Sequence, residues 1–448
     1  MIVDLVLRNA KAYLKNEIVD CSIAIEQGRI LKIGKETQMP NADERINLTN
    51  LLILPGLIDV HVHLRDEGKA HKEEFYSGTA AAASGGFTTV LDMPNNDPVT
   101  MSPETLRNRM RIAERKVLVN VGFYSEFPVN LNQIEPIVEE GALAFKLFMA
   151  HQVGGLDVNN DDALHEAFKR VGDTGVPVAV HAEDEETISM KERVLKMSKQ
   201  DDPKAFLMAH PEEAEVKAAN RVLKTSAETK VHVHFSHVST KAGLNTVADA
   251  KKSGRKVTCE VTPNHLLLSR VDFERTGALL AMMPPLRNNT DVDALWEGIT
   301  NGSVDVVGSD HAPHTLEEKS ESNIWSVKVG VPGLETTLPL MLTMMQKRGL
   351  TIATLVRLLS EKPAEIFNLN GRGKLEHGAK ADIVALDLKA RFKIDASWFH
   401  SKAKYSPYDG WEVQGKPVKT FVKGHLVMED GEITAKPGSG SVIRRDEE

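Results

Sequence analysis

The stretch Leu51-Leu52-Ile53-Leu54-Pro55-Gly56-Leu57-Ile58-Asp59-Val60-His61-Val62-His63-Leu64-Arg65-Asp66 decides how the chain is read. An apolar run that ends in polar residues has the pattern of a buried strand opening onto a site. Side chains two apart on a strand share a face, so His61 and His63 reach one place and Arg65 stands next in line. Neutral imidazole is the commonest protein metal ligand. A His-x-His pair also arises by chance in a chain with 16 histidines, so the rest of the sequence must separate a metal site from a coincidence.

Beyond that stretch, strand-like runs alternate with helical patterns as far as Asn370. The runs are Phe87 to Met93, Val117 to Val121, Ala142 to Phe148, Val176 to His181, Val231 to His237, Lys256 to Val261 and Val304 to Asp310. With the opening run they number eight. Eight strands alternating with helices over this length predict an α/β fold of the TIM-like (β/α)8 type, here over 54–371. On either side, 1–53 and 372–448 alternate apolar and polar residues in short runs such as Ser22-Ile23-Ala24-Ile25-Glu26 and Val418-Lys419-Thr420-Phe421-Val422. Both ends are expected to build one small β-sandwich domain. The Gly- and Ser-rich tail from Lys436 is expected to be mobile.

Composition narrows the class. The chain has 448 residues, 41% hydrophobic and 26% charged, with a net charge of −8. That balance argues for a soluble protein whose main partner is neither nucleic acid nor a membrane surface. Cys21 and Cys259 lie far apart and outside any C-x-x-C spacing, which fits a reducing, cytoplasmic setting. No basic leader precedes a long apolar run, and no apolar stretch reaches about 18 residues.

Barrel sites lie at the C-terminal strand ends. Five of the eight runs bring a metal-capable or reactive group there: His61 and His63, Lys146, His181, His237 and Asp310. Each has a bland alternative alone: His181 as a core histidine, Asp310 as a helix N-cap, Lys146 as a snorkelling surface residue. As one ordered set on one barrel they point to a metal-dependent active site. His232 and His234 do not share a face with His237, so they are expected to be core or supporting groups. His71, His165, His210 and His400 fall in segments that read as helix or loop.

The ordered set resembles the amidohydrolase superfamily, and within it the cyclic amidohydrolases. The resemblance implies two zinc ions per subunit, one on His61, His63 and Asp310, the other on His181 and His237. Lys146, N6-carboxylated by CO2, would bridge them, with a shared hydroxide as nucleophile and Asp310 as the catalytic proton shuttle. The segments Asp59 to Arg65, His71-Lys72-Glu73-Glu74-Phe75, Asp92-Met93-Pro94-Asn95-Asn96, Ser309-Asp310-His311-Ala312-Pro313-His314 and Gly333-Leu334-Glu335-Thr336 are similar to those of dihydroorotases. Arg65, Asn95 and His314 match the residues that hold the substrate's ring carboxylate in that family. A guanidinium grips a carboxylate in a bidentate way that lysine cannot reproduce.

Such a resemblance implies reversible hydrolysis of (S)-dihydroorotate in pyrimidine synthesis. It implies a small-molecule substrate and allows a homo-oligomer. The alternatives are an allantoinase, a dihydropyrimidinase or hydantoinase, or a non-catalytic scaffold relative. Glu67, Asn264 and Met283 depart from the family pattern, and a substrate contact at Met283 is in doubt.

Overall fold

The structure, a computed structural model, describes residues 2–445. Eight parallel strands form one sheet: β1 Leu57–Val62, β2 Phe87–Asp92, β3 Asn120–Glu126, β4 Ala144–Phe148, β5 Pro177–His181, β6 His232–Phe235, β7 Val257–Val261 and β8 Val306–Val307. Their order in space is their order in sequence, as in a singly wound barrel. All eight expected runs are present, but β3 runs from Asn120 to Glu126 rather than from Val117 to Val121. Val117, Leu118 and Val119 are fully buried without being in that strand, so an apolar run alone misplaced it.

The ring closes between β1 and β8 without a full ladder. Val62 bridges to His311, and the His63 N–H donates to the His311 carbonyl at 2.8 Å. The buried Asp59 carboxylate accepts the Ser309 N–H at 3.1 Å and the His61 N–H at 3.0 Å. Burial, only partly offset by those donors, pushes the Asp59 carboxyl up to about 6.

The helices between strands begin where local chemistry dictates. Ser102 caps the helix Pro103–Ala113, accepting the Thr105 N–H at 3.1 Å, with Pro103 at its first position, where a missing N–H costs nothing. From this helix Arg109 reaches the buried Asp92, its Nε donating at 2.8 Å. Asp92 also accepts the Leu64 N–H at 2.8 Å, so one ion pair fixes the backbone just past His63.

The two chain ends form a separate nine-stranded mixed sheet. The halves meet where Leu52–Pro55 pairs antiparallel with Ile383–Leu386. Leu5, Leu7, Ile23, Ile25, Ile53, Ile383 and Phe421 fill its core. The tail corrects the expectation of mobility. The Val121 N–H donates to the Ser441 carbonyl and the Ile443 N–H to the Val121 carbonyl, both at 2.8 Å. Val442 and Ile443 are buried, because the barrel wall offers backbone partners that composition does not reveal. Residues 446–448 of that expectation lie outside the described residues. Among the described residues no helix is long and apolar enough to cross a membrane.

Candidate active site

The parallel strands deliver the selected side chains to one end of the barrel. Ligand atoms of His61, His63 and Asp310 lie within 4.8 Å of one another. Asp310 Oδ1 is 3.4 Å from His61 Nε2 and 3.3 Å from His63 Nε2. On the far side of each ring, His61 Nδ1 faces Glu260 Oε1 at 2.9 Å and His63 Nδ1 faces Asn95 Oδ1 at 2.8 Å. A neutral imidazole has only one N–H to donate. If the outer nitrogens donate, both Nε2 lone pairs face the same carboxylate oxygen. Burial holds His63 down to about 3, which keeps it neutral. Two lone pairs and an anionic oxygen converging without a proton fit a cation between them.

His181 and His237 form a second pair, in which only His181 has an acceptor behind its ring. His181 Nε2 is 3.0 Å from Glu183 Oε2, and His181 Nδ1 is 3.0 Å from His237 Nε2. Burial and the neighbouring His181 and Lys146 hold His237 well below the ordinary imidazole value. Lys146 is fully buried, and its Nζ donates to Ser236 Oγ at 3.0 Å. No carboxylate lies within ion-pairing distance of it among the described residues. Burial lowers the amine to about 8, giving at an accessible pH the neutral form whose lone pair attacks CO2. The donor set therefore fits a metal pair with a carbamate between.

Three non-glycine residues of the site, Arg65, His237 and Asp310, have φ of +61°, +35° and +47°. Left-handed backbone is costly for ordinary side chains and collects at functional sites.

A cationic wall stands beside this cluster. Arg65 is 7% exposed and its Nε has no hydrogen-bond partner. Its Nη2 lies 3.3 Å from His314 Nε2. His314 is already engaged at both nitrogens: Nε2 is 2.9 Å from the Val329 carbonyl, and Nδ1 lies 3.1 Å from Lys72 Nζ. Lys72 pairs with Glu318 at 2.8 Å. Burial and the Arg65 and Lys72 cations keep His314 neutral. Asn95 gives its carbonyl to His63, which leaves its amide hydrogens for a ligand. Of the three expected carboxylate contacts, Arg65 has the clearest spare donor.

Several site residues escaped the sequence reading. Glu260 is the last residue but one of β7, a carboxylate among apolar neighbours that no spacing pattern marks. It accepts from the His61 ring and from the His237 N–H at 3.1 Å. Burial would raise it, but His61 and His234 hold it far below the ordinary carboxylate value. Glu183 stands two residues past His181. Glu126, opposite Lys146 in register, is buried with Oε1 unpartnered, and burial pushes it up to about 8.

His232 and His234 support the wall, both approaching Thr258 Oγ1, at 2.8 and 2.9 Å. Among the departures, Asn264 accepts the Tyr408 hydroxyl at 2.8 Å, and Met283 packs in an apolar cluster with Phe273 and Leu286.

Comparison with known proteins follows the same line. The Amidohydrolase family model matches residues 52–427. A dihydroorotase of Methanosarcina acetivorans is 35% identical over 98% of this chain and 95% of that protein. One of Bacillus cytotoxicus is 39% identical over 93% of this chain and 96% of that protein. Among solved structures, the L-hydantoinase (dihydropyrimidinase) from Arthrobacter aurescens superposes with a TM-score of 0.95 at 33% identity, covering 99% of this chain and all of that one. The barrel, its strand-end residues and a match over most of its length establish that the chain belongs to the amidohydrolase family.

Proposed function

We propose that the chain is a dihydroorotase, which opens the ring of (S)-dihydroorotate reversibly to N-carbamoyl-L-aspartate within pyrimidine synthesis in the cytoplasm. Several relatives similar over nearly the whole chain carry that name. The observation that carries the reading is the buried, unpartnered Nε of Arg65 beside the ligand cluster. Dihydroorotate has a ring carboxylate, whereas hydantoin and dihydrouracil have none. A desolvated guanidinium with a donor to spare favours the anionic ring.

We infer further that two zinc ions bind, one on His61, His63 and Asp310 and one on His181 and His237, with carboxylated Lys146 between them. A metal pair there supplies Lewis acidity for the amide carbonyl and lowers the pKa of water. The chain's own groups do the rest. Glu260, Asn95 and Glu183 fix the imidazole tautomers, as acceptors on the outer nitrogen do. Burial would raise Asp310, but His61 and His63 hold it below its usual value, so it is a carboxylate ready to take a proton. It takes one from the attacking water and delivers it to the ring nitrogen as the C–N bond breaks. Arg65 and the Asn95 amide orient the carboxylate, and hence the reacting carbonyl.

The test measures hydrolysis of dihydroorotate, dihydrouracil and hydantoin alongside metal content. Turnover confined to dihydroorotate, with about two zinc ions per chain as a dinuclear site requires, is the expected result. Preference for an uncharged ring would make the chain a hydantoinase, a reading favoured by the structural likeness. Bound zinc with no turnover of any ring would leave a scaffold.

A further inference from the structure

A second group of metal-capable side chains lies outside the cluster already described. Ligand atoms of His151, Glu192 and His210 come within 4.8 Å of one another. They arrive from three separate pieces of chain: the loop after β4, the helix Glu185–Met197, and the residue that ends the helix Pro203–Ala209. His210 is fully buried. Its Nδ1 faces Glu183 Oε1 at 3.3 Å, while its Nε2 is buried without any hydrogen-bond partner. A proton on Nδ1 satisfies Glu183 and leaves a naked lone pair on Nε2. A proton on Nε2 would instead leave a donor stranded. Either state leaves a buried nitrogen unsatisfied, a cost that a ligand on Nε2 would remove.

The surroundings are consistent with a cation. The His151 ring lies 6.2 Å from that of His210, and its backbone N–H donates to Glu185 Oε2 at 2.6 Å, so the loop is already tied to the helix that carries Glu192. Glu192 is held by Lys196, whose Nζ donates to Oε2. Lys196 has a second seat over the Trp325 ring, 4.8 Å from its centroid, and can remain there when Glu192 turns inward. Two imidazoles with one carboxylate suit zinc-class ions over magnesium or calcium, which want oxygen ligands. His151 is exposed, leaving room for water or a ligand at the fourth position.

We propose that His151, Glu192 and His210 form an additional binding site for a zinc-class divalent cation, separate from the catalytic pair. It is joined to that pair by one carboxylate. Glu183 holds His210 through Oε1 and His181 through Oε2. An ion on His210 Nε2 draws charge out of the same carboxylate that orients His181.

The test starts from protein loaded at the catalytic site and titrates it with Zn2+ by calorimetry, with metal counted after gel filtration. One further equivalent is expected, with a dissociation constant of about 1 µM. Co2+ in its place should give a second visible absorption band set. His151→Ala and Glu192→Gln should each weaken the extra ion at least about tenfold, roughly 1.4 kcal/mol, and leave the first ions in place. These two side chains are partly or largely solvent-facing, so the variants test the site without emptying the core. Absence of a further equivalent in the wild type would overturn the proposal. So would an extra ion that both variants retain with unchanged affinity.

Discussion

The two walls of the barrel mouth are built on opposite plans. On the histidine wall, the outer nitrogen of His61, His63 and His181 is already met by Glu260, Asn95 and Glu183. Their inner nitrogens converge, those of His61 and His63 on Asp310 Oδ1 and that of His181 on His237 Nε2. On the cationic wall, His314 and Lys72 are occupied by protein partners, and Arg65 Nε is left over. The first wall fixes direction before any ion arrives. The second stores an unspent donor that only a ligand can use. Metal geometry tolerates little error, so its ligands are oriented from behind. An anion needs charge and one good donor more than a rigid frame.

The largest expected effect falls on Lys146, buried beside the histidine wall. Lys146→Ala should lose both ions and slow dihydroorotate hydrolysis by on the order of 10^3-fold or more, as for residues that act as a unit. Metal analysis with an activity assay decides it, and full metal with full activity would remove Lys146 from the site. Next comes the cationic wall. Arg65→Gln should raise KM for dihydroorotate by roughly 10- to 150-fold, the worth of about 1.5–3 kcal/mol for a charged hydrogen bond, and leave metal content unchanged. If metal falls instead, the two walls are not separate.

Glu260→Gln reverses that signature: metal affinity should drop about 10- to 100-fold, with KM moving little. Competition against a chromophoric chelator reads this directly. The smallest effect is one of pH. With its pKa lowered to about 8, the Lys146 amine of metal-free protein gains neutral fraction as pH rises. At fixed dissolved CO2, the initial rate of carbamate formation followed by 13C NMR should grow about tenfold from pH 7 to pH 9, tracking the neutral amine fraction around that pKa. A flat profile would mean that Lys146 is not the acceptor.

Much of the fold was legible because parallel barrel strands are buried on both faces and read as continuous apolar runs. The strand ends were legible for the same reason: a histidine or lysine after such a run has nowhere to be except the barrel mouth. Glu260 was equally placed but silent, because a carboxylate holding an imidazole from behind leaves no spacing pattern. His210 falls in a segment that reads as helix or loop, and its burial depends on segments distant in sequence. The tail misled through composition, because backbone pairing to Val121 needs no particular side chain. The positive φ at Arg65 had no signal at all, and those at His237 and Asp310 had only the weak enrichment of histidine and aspartate in that region.

The closure of β1 onto β8 carries a consequence for the order of assembly. His61 and His63 belong to the first barrel strand and Asp310 follows the last, some 250 residues later. The three become neighbours only after Asp59 has gathered the Ser309 amide and the ring is shut. A chain whose ring is still open therefore presents an incomplete set of donors, and an ion held by all three would need the closed ring. Whatever free energy the ion contributes then goes to the closed ring alone, since binding folded but not unfolded chain shifts that balance. An ion bound there would latch the closed ring, and a chelator should loosen the seam between the first and eighth strands before it disturbs the terminal sheet.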